Sequence, residues 1–219
     1  MSRLFITATG TDIGKTLVTC ALVSQLRAKG NSIRAIKPII SGYTDDTMDT
    51  IDTAEIIKAL GQKMTPETIA QVSPWRFTHP LAPDMAAIRE GRSIHYGELV
   101  DFCRERHGED HLIIEGVGGA FVPIDDEHLV VDLINDLDIS ALVVVGAYLG
   151  TISHTVATVE ALRGRGVTVS GIVISEAEPG PVPLEELQAA LKRLLPDLPM
   201  VSIPQIDHWS EAPDLTVLV

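Results

Sequence analysis

Cysteine is scarce, since Cys20 and Cys103 are the only two among 219 residues. Each lies within an apolar pattern of helical spacing, and the interval between them fits neither a disulfide framework nor a redox motif. No metal or redox role is therefore expected for cysteine. We expect two reduced, buried thiols, as in a cytosolic protein.

Positive charge is also scarce, because 17 Lys and Arg residues stand against 30 Asp and Glu residues and give a formal net charge of −13. A chain with this balance has no global positive field to attract nucleic acid or an anionic membrane. We expect neither as a partner, so any affinity for phosphate must be local.

The start of the sequence lacks the pattern of a signal peptide. Only Arg3 precedes a short apolar run, and that run leads directly into a polar loop. No apolar stretch is long enough to cross a bilayer. We expect no membrane span and a cytoplasmic location.

Apolar strand patterns alternate with amphipathic helix patterns along the chain. The strand patterns cover residues 3–9, 32–37, 111–115, 141–145, 167–174 and 200–203. The helix patterns run from residue 18 to a cap at Gly30 and over residues 53–60, 84–90, 96–106, 130–137, 156–162 and 183–195. Four prolines between Thr65 and Pro83 predict an irregular connection. The alternation predicts an α/β fold, a doubly wound, mostly parallel sheet with helices on both faces.

The first strand runs into a loop that ends in Gly14-Lys15-Thr16 and opens a helix. In a phosphate-binding loop, backbone N–H groups and the helix dipole cradle phosphates, the lysine reaches the outer phosphates and the hydroxyl ligates magnesium. The usual pattern has its first glycine where this chain has Thr9, and Gly10 is one place late. The alternative is a strand–turn–helix with an incidental Gly-Lys-Thr.

Two more charged residues stand at the ends of predicted strands. Lys37 precedes Pro38, and Glu115 precedes a glycine-rich loop. Because the carboxyl ends of parallel strands meet at one edge of a sheet, both are expected near the phosphate loop. Thr16 and Glu115 would pair on magnesium, and two lysines would converge on one anionic intermediate. The alternatives are a solvated Lys37 and a Glu115 that faces solvent.

Several motifs, in order, resemble those of the dethiobiotin synthetase family, ATP-dependent cyclo-ligases of the P-loop NTPase superfamily. They are Gly14-Lys15-Thr16, Lys37-Pro38 with Ser41-Gly42, Pro80-Leu81-Ala82-Pro83, Glu115-Gly116-Val117-Gly118-Gly119, Val145-Gly146 with Leu149-Gly150-Thr151-Ile152-Ser153-His154, and Ile203-Pro204. The resemblance covers nearly the whole chain and implies one P-loop NTPase-like domain over residues 1–219.

The resemblance also implies a reaction. In this family 7,8-diaminononanoate takes up carbon dioxide as a carbamate, ATP phosphorylates the carbamate, and the second amine closes the ureido ring with loss of phosphate. ATP is then a co-substrate, Mg²⁺ a cofactor, and the partner a second copy of the chain, with the substrate near the dimer interface.

By position, the resemblance assigns roles to individual residues. The catalytic residues are Lys37, Lys15 and Thr11, and the substrate-binding residues are Ser41, Ser153 and Gly118. The metal ligands are Thr16, Asp52 and Glu115, with Asp49 as the rival of Asp52. The nucleotide-binding residues are Asp12, Ile13, Gly14, Lys15, Thr16, Leu17, Glu115, Gly116, Val117, Gly118, Ser175, Glu176, Pro204, Gln205 and Ile206.

Three positions depart from the family pattern. Ala8-Thr9-Gly10-Thr11 stands where the family has Gly-Thr-Asp-Thr, and alanine resists positive φ, so we expect the backbone there to tighten or turn differently. Ser175-Glu176 stands where the family has Asn-Asp to read the base, which leaves base selectivity open. Ser153 replaces an asparagine linked to the carboxylate tail of the substrate, so weaker binding is expected. The adjacent His154 is expected to pack at a helix start or an interface.

Two other functions stay open at this point. One is a partition or septum-positioning ATPase of the same superfamily, although those proteins usually carry a second lysine early in the loop, where this chain has Ala8 or Thr9. The other is a degenerate family member that binds nucleotide without turnover.

Overall fold

The computed structural model describes residues 2–44, 46 and 51–219. The strands are β1 (Ser2–Ala8), β2 (Ile33–Ile36), β3 (Ile39–Ser41), β4 (Trp75–Phe77), β5 (His111–Glu115), β6 (Ser140–Gly146), β7 (Val169–Ser175) and β8 (Met200–Ile203). The helices are α1 (Lys15–Ala28), α2 (Asp52–Ala59), α3 (Pro66–Val72), α4 (Pro83–Arg89), α5 (Tyr96–Arg104), α6 (Val130–Leu137), α7 (Thr151–Gly164) and α8 (Leu184–Leu194). Two 3₁₀ turns, Trp209–Glu211 and Thr216–Leu218, follow β8.

Six strands form one parallel sheet in the order β2-β5-β1-β6-β7-β8. Residues of β1 alternate between the two faces, as the period of two along a strand requires. Phe5 packs in a core with α4 to α8, whereas Leu4 and Ile6 pack in a second core with α1 to α3. The predicted parallel sheet with helices on both faces is confirmed.

The connection between Thr65 and Pro83 is regular, contrary to the prediction, because it contains α3 and β4. Pro66 occupies the first turn of α3, where no backbone N–H is needed, and the Thr65 hydroxyl accepts a hydrogen bond from the Thr68 N–H at 3.2 Å. Strand β4 pairs in parallel with β3 to form a small second sheet. The prolines therefore bound short elements instead of preventing them.

Both cysteines are free and buried, as the sequence predicts, and they lie on opposite faces of the sheet. Burial raises the pKa of the Cys103 thiol to about 12, and it raises that of Cys20 as well. Both thiols are therefore protonated and unreactive at neutral pH.

Across residues 2–44, 46 and 51–219, none of the helices combines the length and the apolar character that a membrane crossing requires.

Candidate active site

A polar cleft opens at the carboxyl ends of β1, β2 and β5. Its volume is about 340 Å³. The residues that line it are Thr11, Asp12, Ile13, Gly14, Lys15, Thr16, Leu17, Lys37, Ile40, Ser41, Asp52, Val117, Gly118 and Ala177. The cleft thus gathers most of the residues that the sequence singled out from four separate segments.

The loop between β1 and α1 turns at Asp12 and Gly14, which have φ values of +56° and +98°. Ala8, in contrast, is a buried residue at the end of β1, and Gly10 does not have a positive φ. Ala8 itself is not strained, because a strand conformation accommodates a Cβ atom. The left-handed turn lies at Gly14, where the motif itself places a glycine.

The turn at Gly14 leaves no room for a side chain. A Cβ atom there would lie 2.4 Å from the Ser175 hydroxyl oxygen. Ser175 ends β7 and is 3% exposed, so its hydroxyl packs against this turn.

Lys15 is buried at the first position of α1, and its ammonium donates to the carbonyl oxygen of Gly10 at 3.0 Å. Burial is the largest influence on its pKa and lowers it to about 8. Glu115 and Asp52 oppose this shift, while Lys37 adds to it. The ammonium is thus charged at neutral pH but poorly solvated, which favours an anionic ligand.

Glu115 stands at the centre of the charged side chains. It is 1% exposed, and its Oε1 atom accepts hydrogen bonds from the Thr16 hydroxyl at 2.7 Å and from the Lys37 ammonium at 2.9 Å. Its other oxygen, Oε2, is buried without a hydrogen-bond partner in the described structure. The alternative in which Glu115 faces solvent is wrong.

Lys37 is 5% exposed and also donates to the Asp52 carboxylate, so the alternative of a solvated lysine is wrong. Burial is the largest influence on its pKa and lowers it, but Glu115 and Asp52 together outweigh burial and raise the pKa above its usual range. Burial likewise raises the pKa of Asp52, but Lys37 outweighs it and the net direction is downward. Both groups are charged at neutral pH.

The predicted nucleotide-binding residues after β7 and β8 do not line this cleft. The N–H of Glu176 donates to the Ile203 carbonyl at 3.0 Å, which ties the loop after β7 to the end of β8. Pro204 and Gln205 are exposed beyond that point, and Ile206 is half-buried. Asp49, the rival of Asp52, lies outside the described residues.

Ser153 is not in the cleft. It is exposed in the first turn of α7 and borders a separate apolar groove of about 750 Å³. Leu149, Ile152 and Leu194 line the same groove and expose large apolar side chains. The neighbouring His154 is exposed and pairs its Nδ1 with the Tyr148 hydroxyl at 2.9 Å.

Sequence reasoning missed two residues that line the cleft, Ile40 and Ala177. Ala177 directly follows Ser175-Glu176, so its proximity could have been inferred. Ile40 directly precedes the predicted Ser41 and lies with it in β3, but an isoleucine carries no functional group that would single it out.

The described residues contain no group of three or more His, Cys, Asp or Glu side chains suited to hold a metal ion. Two carboxylates, Asp52 and Glu115, do meet at Lys37, and the Thr16 hydroxyl is bonded to Glu115. Magnesium is commonly held in this way, by one or two carboxylates together with substrate phosphates and water.

Comparisons with known proteins agree with this geometry. The family described as an AAA domain matches residues 2–211. The MinC:MinD cell division protein complex of Aquifex aeolicus superposes with a TM-score of 0.56 at 12% identity, over 94% of this chain and 83% of that chain. At this identity the likeness concerns the fold alone, and it confirms the predicted P-loop type.

Curated relatives are much closer in sequence. The ATP-dependent dethiobiotin synthetase BioD of Acidiphilium cryptum is 45% identical over 213 residues, which are 95% of this chain and 96% of that protein. The protein of the same name from Methylobacterium nodulans is 41% identical over 200 residues, or 88% of this chain and 89% of its own length. The chain therefore belongs to the family of ATP-dependent dethiobiotin synthetases.

Proposed function

We propose that this protein is a single-domain, cytoplasmic ATP-dependent ligase that converts 7,8-diaminononanoate and carbon dioxide into dethiobiotin. The observation that carries the proposal is the convergence of Lys15, Lys37 and Thr16 in one cleft, with Glu115 buried beneath it and bonded to Thr16 and Lys37. The curated relatives of the chain are named ATP-dependent dethiobiotin synthetases. The two free, buried thiols support the cytoplasmic location.

The charges of the cleft suit the first chemical step. A neutral amine captures carbon dioxide, and the carbamate that forms is an anion. The positive charges of Lys15 and Lys37 disfavour a protonated substrate amine and hold the new negative charge. Thr11, Ser41 and Gly118, which line the same cleft, bind and orient the diamine.

The nucleotide phosphates are assigned to the turn from Asp12 to Leu17. The N–H groups at the start of α1 and the Lys15 ammonium bind them there. The loop glycines and Val117 after β5 form the facing wall, and the segments after β7 and β8 receive the base. The residues assigned to these two regions are Glu115, Gly116, Val117, Gly118, Ser175, Glu176, Pro204, Gln205 and Ile206.

Thr16, Asp52 and Glu115 would hold a magnesium ion. Asp52 and Glu115 already bind a cation, the Lys37 ammonium, and Thr16 donates to Glu115. The buried Oε2 of Glu115 has no hydrogen-bond partner in the described structure. This donor set is oxygen only, as magnesium prefers. When bound, the ion would neutralise negative charge on the transferred phosphoryl group.

We assign the apolar groove beside α7 to a second copy of the chain. Leu149 is 88% exposed and Leu194 54% exposed, and contiguous apolar surface of this kind is typical of an interface. Ser153 at its edge would then reach the carboxylate tail of the substrate in the partner subunit. Replacing Leu149 with Glu should convert the dimer to a monomer in sedimentation, and an unchanged mass would contradict this assignment.

A partition or septum-positioning function is not favoured. The structural likeness to such proteins is at 12% identity, against 45% for the dethiobiotin synthetase of Acidiphilium cryptum. The place of an early lysine in the loop is taken by Ala8, which is buried in β1, or by Thr9, which follows it.

The activity is tested by incubating the protein with diaminononanoate, bicarbonate, magnesium and ATP while dethiobiotin is followed by mass spectrometry. CTP and GTP in parallel reactions test base selectivity at Ser175. Lys37→Gln should lower turnover far more than nucleotide affinity, and Lys58→Gln on the exposed side of α2 serves as the control. Absence of product with every nucleotide would exclude the proposed reaction and leave a protein that only binds nucleotide.

A further inference from the structure

The Lys37 ammonium connects two walls of the cleft. It donates to Glu115 Oε1 at the end of β5 and to the Asp52 carboxylate in the first turn of α2. The Thr16 hydroxyl donates to the same Oε1 atom at 2.7 Å. Two of the three groups proposed as metal ligands, Asp52 and Glu115, are thus already held by one protein cation, and the third, Thr16, is bonded to Glu115.

Burial makes this arrangement necessary. The side chains of Lys37 and Glu115 are 6% and 0% exposed, so little water solvates either charge. The Asp52 side chain is 45% exposed, so without a cation the repulsion between the two carboxylates would act mainly on the buried charge of Glu115. Lys15, the other cation of the cleft, donates to the Gly10 carbonyl, so the direct counter-charge for both carboxylates comes from Lys37.

A magnesium ion and the Lys37 ammonium compete for the same two carboxylates, because Lys37 holds Oε1 of Glu115 and Asp52 while Oε2 of Glu115 has no partner in the described structure. A divalent ion bound to these carboxylates lies beside the ammonium, and the repulsion between the two cations drives the ammonium away. Ser41 and Ile40 border the same cleft as Lys37, so a displaced ammonium stays within reach of a substrate bound there.

We propose that Lys37 is a placeholder cation: it holds Asp52 and Glu115 in position in the metal-free protein, and divalent metal binding displaces its ammonium into the substrate part of the cleft. This proposal rests on the metal ligands of the proposed function and specifies the sequence of binding events. Metal binding comes first, and only then does Lys37 become free to hold the anionic carbamate.

The proposal predicts that removing the charge of Lys37 makes the protein bind a divalent metal ion more tightly. Mn²⁺ binding is measured without nucleotide, by the electron paramagnetic resonance signal of free Mn²⁺, for the wild type, Lys37→Met and Lys37→Arg. Removing the competing charge in Lys37→Met should tighten Mn²⁺ binding by about tenfold or more. Lys37→Arg keeps the charge and should not tighten Mn²⁺ binding. Lys58→Met removes a lysine charge from α2 outside the cleft and is the matched control.

Thermal melting gives a second measurement on the same proteins. Metal-free Lys37→Met should melt several degrees below the wild type, because Asp52 and Glu115 lose their counter-charge. Added Mg²⁺ should then raise its melting temperature more than it raises that of the wild type. A role of Lys37 in packing alone would lower the melting temperature without this gain.

A third measurement needs no variant and therefore holds even if Lys37→Met fails to fold. The wild-type protein is acylated with an amine reagent with and without Mg²⁺, and labelled peptides are quantified by mass spectrometry. Labelling of Lys37 should increase with Mg²⁺, while labelling of Lys58 stays constant.

Mn²⁺ affinity of Lys37→Met equal to or weaker than that of the wild type would overturn the proposal, as would Lys37 labelling that ignores Mg²⁺. If dethiobiotin still forms in either case, the proposed function stands and the placeholder role alone falls. Failure of all the proteins to bind Mn²⁺, even with ATP, would remove both the placeholder role and the magnesium ligands.

Discussion

The turn between β1 and α1 and the turn between β6 and α7 start their helices in the same way. Gly14 has φ +98° and ψ +17°, Gly150 has φ +97° and ψ −9°, and each precedes a helix of 14 residues. Strands β1 and β6 are parallel neighbours in the sheet, so both turns lie at the same edge. Each helix presents the same unpaired N–H groups and the same positive dipole end.

The side chains after each glycine are nevertheless opposite in character. Lys15 and Thr16 follow Gly14 and meet the buried carboxylate of Glu115. Thr151 and Ile152 follow Gly150 and border an apolar groove. Nearly the same backbone turn therefore precedes buried charged groups in one place and an apolar groove in the other, and the two residues after the glycine make the difference. A helix N-terminus alone is a weak indication of a phosphate site.

The largest expected effect is a loss of catalytic activity that follows substitution in the turn before α1 and not in the turn before α7. Lys15→Met should lower kcat/KM for dethiobiotin formation by about 10³ or more, since it removes a preorganised positive charge from the transferred phosphate. At the matched position, Thr151→Val should leave the catalytic rate unchanged. The Thr151 hydroxyl is buried without a partner in the described structure, so a methyl group replaces it without loss of a hydrogen bond. Similar losses in both variants would contradict the division between the turns.

The next effect concerns stability, measured as the free energy of unfolding in urea. Gly150→Ala should lower the free energy of unfolding by about 1–2 kcal/mol, because a residue with a Cβ atom is strained at positive φ. No collision adds to this loss, since the atom nearest to that Cβ is His154 Cε1 at 3.8 Å. Gly14→Ala should cost a further 1–3 kcal/mol or so, because its Cβ would also collide with Ser175.

A double variant checks the cause. Adding Ser175→Ala to Gly14→Ala removes the hydroxyl at 2.4 Å but leaves the Ser175 Cβ at 3.0 Å, so part of the extra loss should be recovered. The same addition to Gly150→Ala should recover nothing. Equal costs for the two single variants would show that the two turns are packed alike.

A smaller effect is the pH dependence of the first turn. The Lys15 pKa is lowered to about 8, so the ammonium loses its charge as the pH rises through 8. ATP affinity should then fall by up to about tenfold per pH unit, whereas the binding curve of Lys15→Met should be flat over the same range. Calorimetric titrations between pH 7 and pH 10 measure both. Affinity that does not change in the wild type would mean that Lys15 stays protonated.

The contribution of Lys15 to the free energy of unfolding should change with pH in the direction opposite to ATP affinity. The unfolded chain retains the Lys15 proton up to the ordinary pKa of 10.5, while the folded protein releases it near 8. Between these values the unfolded state binds more protons, so this group makes folding more favourable as the pH rises. Lys15→Met should lack this contribution.

The sequence predicted the sheet and the cleft better than the small elements around them. Buried runs such as β6 and the Gly-Lys-Thr motif carry strong local signals, which is why the positions of Lys15 and Glu115 were predictable. Strand β3 has only three residues, and β4 pairs with it across a distance along the chain that no local pattern reveals. The ion pairs of Lys37 were not predictable either, because the approach of α2 to β5 depends on tertiary packing.

The smallest expected effect lies at Gly10, the glycine that stands one place late in the phosphate-loop pattern. Its φ is not positive, and a Cβ atom built on it has no neighbour within 4 Å. Its contribution to the cleft is a carbonyl oxygen, which accepts from Lys15 and which any residue supplies. Gly10→Ala should therefore change the free energy of unfolding by no more than about 0.5 kcal/mol and leave turnover intact. A large loss of turnover in Gly10→Ala with an unchanged free energy of unfolding would show that nucleotide binding drives Gly10 into a conformation that only glycine adopts, and that the loop has two essential glycines where the free protein needs one.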